Sequence, residues 1–135
     1  IDPEWILPAI GQGALGLECR TDDAGAVEAL SRITDPATRS LVLAERAMLK
    51  ALGGGCLVPI GCLAHAEGDT GHLAAVVLDE NGTRRLEARH SGPLADPVGL
   101  GEAAAKALVD VGAEEILARV EKRYIGQPRV ESGGA

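Results

Sequence analysis

Phenylalanine is missing from this 135-residue chain, and tryptophan, tyrosine and methionine occur once each. Aromatic rings normally supply much of the bulk of a core. Here leucine, valine, isoleucine and alanine must do so, which predicts an aliphatic and rather thin interior. The two aromatics, Trp5 and Tyr124, stand near the two ends of the chain. Positive charge is also scarce: 13 Lys and Arg against 20 Asp and Glu leave a net charge of −7. That excludes a general nucleic-acid or anionic-membrane surface, but not one local anion site built from a few arginines. No apolar run approaches the roughly 18–20 residues of a membrane span. No basic-then-apolar leader is present either, so nothing points to export and a cytoplasmic location is expected. Cysteines number three, Cys19, Cys56 and Cys62, an odd count without framework spacing. Free thiols in a reducing compartment are the simplest account. The chain opens on Ile1 and its methionine is Met48. A processed chain, an excised domain or a proteolytic piece is therefore expected.

What is present is a globular composition, with 46% apolar residues, enough for one domain with a modest core. The short apolar stretch 14–20, ALGLECR, reads as a buried strand, and 24–33 has helical spacing with Val27, Leu30 and Ile33 on one face. The strongest helix signal spans 34–52. Asp35 caps its first turn, Pro36 suits the first helical position, and Leu41, Ala44, Met48 and Leu52 recur on one face. Arg39, Glu45, Arg46 and Lys50 are read as decorating the remaining faces, and Gly53 as the stop. Three strands are expected next, over 58–67, 72–80 and 83–91, with GDTG (68–71) and Asn81-Gly82 as the turns. Helices over 96–112 and 113–124 close the domain, and the tail 125–135 has little to bury and is expected to be mobile. The predicted fold class is α+β: a three-stranded antiparallel sheet with helices on one face, preceded by a strand–helix segment that belongs to an α/β domain.

Gly53, Gly54 and Gly55 stand directly before Cys56. One glycine suffices to cap a helix, and each further one costs roughly 0.5–1 kcal/mol of chain entropy relative to alanine. A loop without Cβ atoms lets a bulky group lie against the backbone. The preceding helix end is electronegative and does not activate a thiol, so Cys56 suits an attachment point better than a turnover nucleophile. On the residues alone the alternative stays open that Cys56 is a small buried hydrophobe at a strand entrance. Cys62 and Cys19 read as packed. Arg20, at a strand end, is either a bidentate carboxylate binder or a surface arginine paired with Asp22 or Asp23. Cys56 and Cys62 lack the spacing of a metal knuckle, and His65 and His72 read as solvated strand positions, so no metal site is expected.

Two stretches together, LPAIGQGALGLECR (7–20) and ERAMLKALGGGCLVPIGCLA (45–64), resemble porphobilinogen deaminase (hydroxymethylbilane synthase). The resemblance runs over nearly the whole chain except the tail. It implies a three-domain, monomeric cytoplasmic enzyme of haem and tetrapyrrole biosynthesis, of which this chain is the C-terminal part. Residues 1–13 would be the end of domain two and a hinge, 14–34 a segment returned to domain one, and 35–124 the cofactor-carrying third domain. It further implies that Cys56 holds a dipyrromethane cofactor by a thioether, with Arg20, Gln12, Gly54 and Gly55 around the cofactor. The partners would be porphobilinogen and the growing linear pyrrole chain. No catalytic residue is carried over to this chain, because the family's catalytic aspartate belongs to the first two domains. The isolated chain is therefore expected to be inactive, with Cys56 free. The competing reading is a non-catalytic, acidic α+β module that binds a ligand or partner.

Overall fold

A computed structural model describes residues 2–53 and 58–124. The tail expected over 125–135 lies outside them. The element order is α1 (Ala24–Ile33), α2 (Pro36–Ala51), β1 (Ile60–Glu67), β2 (Thr70–Leu78), β3 (Arg85–Pro93), α3 (Pro97–Asp110) and α4 (Ala113–Tyr124). The strands form one antiparallel meander in the order β1-β2-β3. This is the expected α+β architecture, with helices over one sheet face. Among the described residues, no helix is long and apolar enough to cross a membrane.

Local chemistry explains the boundaries. The carboxylate of Asp35 accepts the Thr38 N–H at 2.7 Å, and that of Asp96 accepts the Gly99 N–H at 3.0 Å. Each aspartate is followed by a proline at the first helical position, where a missing N–H is harmless. Alternation along the strands then divides the sheet. Ile60, Cys62, Leu73, Ala75 and Val77 face inward and are buried. They meet Ala44 and Met48 of α2, Leu100, Ala104, Ala105 and Leu108 of α3, and Ile116 of α4. The core is aliphatic, as the shortage of aromatics requires, and its small residues let the helices approach closely. A Cβ on Gly101 of α3 would overlap the Ala44 carbonyl oxygen and stand 2.8 Å from the Met48 nitrogen. Only glycine lets α3 lie this near the α2 backbone.

Two expectations require correction. Residues 14–20 form no strand: Leu15 is 97% exposed, and the stretch pairs with no strand among the described residues. A strand needs a partner edge, and the free edge of β1 is already occupied, as shown below. The second hairpin is wider than a two-residue Asn81-Gly82 turn. β2 ends at Leu78 and β3 begins at Arg85. The intervening loop folds around Asp79, whose carboxylate accepts from the Thr83 N–H and hydroxyl, both at 2.6 Å, and from the Arg84 N–H at 3.0 Å. Gly82, at φ +68°, supplies the left-handed residue of this loop.

Candidate functional site

Helix α2 delivers the chain to the glycine loop, and β1 carries it away. Gly53, at φ +66°, ends the helix, and its N–H donates to the Lys50 carbonyl at 3.1 Å. Leu52 before the loop and Ile60 after it are both buried. The loop is thus tied to the core at each end. Gly54, Gly55 and Cys56 themselves lie outside the described residues.

Three segments converge on one carboxylate of α2. Glu45 of α2 is 7% exposed, in contrast to the surface position expected of it. Its Oε1 accepts the Ala64 N–H of β1 at 2.9 Å, and its Oε2 accepts the Gly11 N–H at 2.8 Å. The sequence carried a signal for this burial. Leu41, Glu45, Met48 and Leu52 follow the i, i+4, i+7, i+11 pattern of the apolar face. A buried carboxylate costs free energy unless it is hydrogen-bonded, and two backbone donors provide that compensation here.

The same contacts occupy the free edge of β1. The Cys62 N–H donates to the Pro8 carbonyl at 2.8 Å, one rung away from Ala64 and Glu45. Residues 7–11 therefore wrap the strand edge. Leu7 lies over Gly61, where an added Cβ would stand 3.1 Å from the Leu7 Cβ and carbonyl oxygen. Gly11 takes φ +75°, a conformation that favours glycine, and turns its N–H toward Glu45. Covering the edge in this way leaves no template for pairing with another chain there.

The other expected site residues are distributed around this frame. Gln12 is exposed and follows the Glu45-bound Gly11, with its own N–H on the Ala9 carbonyl at 3.3 Å. Arg20 is exposed, with its Nε 3.9 Å from the Asp22 carboxylate. At 84% and 87% side-chain exposure such a pair adds little, and the guanidinium stays open to another anion. No hydrogen bond or ion pair joins Gln12 to Arg20 among the described residues. Cys62 is fully buried, as expected, and its thiol is pushed far up, first by desolvation and then by the negative charge of Glu45. It cannot act as a thiolate at neutral pH. Cys19 is half-buried.

Comparison with known proteins gives one consistent result. The family described as porphobilinogen deaminase, C-terminal domain, matches residues 40–110, just over half of the chain. A porphobilinogen deaminase of Desulforudis audaxviator is 48% identical over 114 residues, 84% of this chain and 37% of that protein. One of Roseiflexus sp. is 43% identical over 118 residues, 87% of this chain and 39% of the relative. One of Trichlorobacter lovleyi is 43% identical over 125 residues, 93% of this chain and 40% of the relative. The chain spans about two fifths of the length of these curated relatives.

Proposed function

Because the chain belongs to the porphobilinogen deaminase C-terminal domain family, we propose that it is the cofactor-carrying part of a hydroxymethylbilane synthase. That transferase joins four porphobilinogen molecules into hydroxymethylbilane on a dipyrromethane linked to Cys56. The observation that carries the reading is the 2.8 Å bond from the Gly11 N–H to Glu45. It joins the two family-like stretches, 7–20 and 45–64, which are remote in sequence. The hinge-like glycine segment is thereby tied to the helix that feeds the Cys56 loop.

Two observations support Cys56 as the anchor of such a cofactor. A thioether anchor needs a reachable sulfur, and Cys62 is sealed in the core. Cys56 follows three glycines in the sequence, and residues without a Cβ suit a segment that must accept a bulky group. When bound, the dipyrromethane supplies the fixed end to which the pyrrole units are added. Arg20 would bind its acetate and propionate carboxylates, and Gln12 would contact its pyrrole groups. Gly54 and Gly55, free of Cβ atoms, would supply the backbone freedom that a lengthening chain requires.

The exposed apolar surface of the N-terminal part supports a larger whole. Leu15, Leu17 and Ile33 are 97%, 64% and 69% exposed, and α1 buries no residue. In this reading residues 1–13 close domain two and cross the hinge, 14–34 pack in domain one, and 35–124 form domain three. The full-length protein should exceed its sequence mass by one dipyrromethane, and Cys56→Ala should remove both the excess and the formation of hydroxymethylbilane. Unmodified protein that still makes hydroxymethylbilane would refute the proposal. The 135-residue chain alone should show no turnover and a free Cys56 thiol.

A further inference from the structure

The turn end of the β1–β2 hairpin holds a group of side chains that this function does not use. His65 of β1 and His72 of β2 are direct cross-strand partners, and His72 is in turn opposite Ser91 of β3. The three form one row across the outward face of the sheet. The two imidazole rings stack, with centroids 4.9 Å apart and planes 18° apart. Both rings turn Nε2 toward Glu67: His65 Nε2 lies 3.8 Å from Glu67 Oε1, and His72 Nε2 lies 3.7 Å from Oε2. One ligand atom from each of the three residues falls within 4.8 Å of the others.

We propose that His65, Glu67 and His72 form a binding site for a divalent transition metal ion of the zinc, nickel or copper class. In linear sequence the two histidines look like unrelated strand positions. The antiparallel register and the tight turn at Gly68, φ +58°, bring them together. Zinc–nitrogen and zinc–oxygen bonds of about 2.0–2.2 Å place tetrahedral ligands roughly 3.3–3.5 Å apart. The separations present are wider, 3.8 and 3.7 Å from the two histidines to Glu67 and up to 4.8 Å within the set. Closing them, and turning the stacked rings so that both nitrogen lone pairs meet one ion, needs side-chain rotations that the exposed His65 and Glu67, at 62% and 74%, can make without disturbing the core. Two imidazoles and one carboxylate favour borderline metals over the all-oxygen sets that calcium and magnesium require. The remaining coordination positions open to solvent.

Ser91 provides the outer support that metal-bound histidines characteristically have. His72 Nδ1 lies 2.8 Å from Ser91 Oγ. A metal on Nε2 takes that nitrogen's lone pair and leaves the ring proton on Nδ1, where Ser91 Oγ is placed to accept it. Ser91 is thus a positioning residue that fixes the tautomer and the ring plane. The metal would staple β1 to β2 at the turn.

The test is a Zn²⁺ titration of the whole chain by calorimetry, after alkylation of the reachable thiols with iodoacetamide. One equivalent should bind, Mg²⁺ should not compete, and imidazole NMR resonances of His65 and His72 should shift while those of His90 stay still. His65→Ala and His72→Ala should each weaken binding at least tenfold, and Ser91→Ala by about ten- to a hundredfold. Unfolding midpoints measured without metal verify that these surface variants are folded. Absence of saturable binding overturns the site. So does an affinity unchanged in both histidine variants, or a response centred on His90.

Discussion

Glu45 shows how much one side chain can organise. Its two oxygens hold a β-strand N–H and the N–H of a glycine 34 residues earlier in the chain. Glu45→Ala leaves both donors without their partner, at about 1–3 kcal/mol for each group that stays buried. Glu45→Gln keeps one acceptor oxygen and should lose about half as much. Urea unfolding of the three proteins checks the order, wild type above glutamine above alanine. Equal midpoints for the alanine variant and wild type would remove Glu45 from this role. Its register with Leu41, Met48 and Leu52 was readable in advance. Its partners were not, because Gly11 and Ala64 come close only once residues 7–11 wrap β1.

Among the elements, the α4-to-hairpin contact carries the clearest pH dependence. Hydrogen bonds from Arg84 and Thr83 hold the Asp79 carboxyl below its ordinary range, with the Arg84 N–H first among them. The Arg84 side chain does the same for Glu115 of α4, through a 2.9 Å bond. The Thr38 N–H lowers Asp35 at the start of α2. A carboxyl whose pKa is lower when folded stabilises the fold above its unfolded pKa and loses that contribution as pH falls through the folded value. The loss should therefore begin near pH 4.5, the ordinary value for Glu115, and deepen below 3.8, the ordinary value for the aspartates. Asp79→Ala should lower the melting temperature at pH 6 and shrink the drop between pH 6 and pH 3. Parallel melting curves for wild type and variant across that range would contradict this account. The Asp-Pro helix starts were legible because capping is local chemistry. The loop has six residues where Asn81-Gly82 predicts two, because Asp79, two positions before Asn81, claims three donors beyond the glycine.

On the scale of the whole molecule, the chain divides into a cored part and an uncovered part. From α2 to α4, apolar side chains share one interior. Before α2, Leu15, Leu17, Val27 and Ile33 face solvent, and α1 buries nothing. Helices without burial open easily. Amide exchange in α1 should accordingly run far faster than in α3 of the same chain. In the full-length protein, α1 should slow markedly if other domains cover it, as the proposed division requires. Equal exchange of α1 in both proteins would count against that division. Helix spans and the three strands between α2 and α3 were written in sequence alone, since caps, turns and hydrophobic period act between neighbours in the chain. The burial of Glu45, the wrapping of β1, the absent strand over 14–20 and the meeting of His65, Glu67 and His72 were decided by tertiary structure. Each depends on which distant backbone or side chain arrives alongside, and no local pattern encodes that arrival.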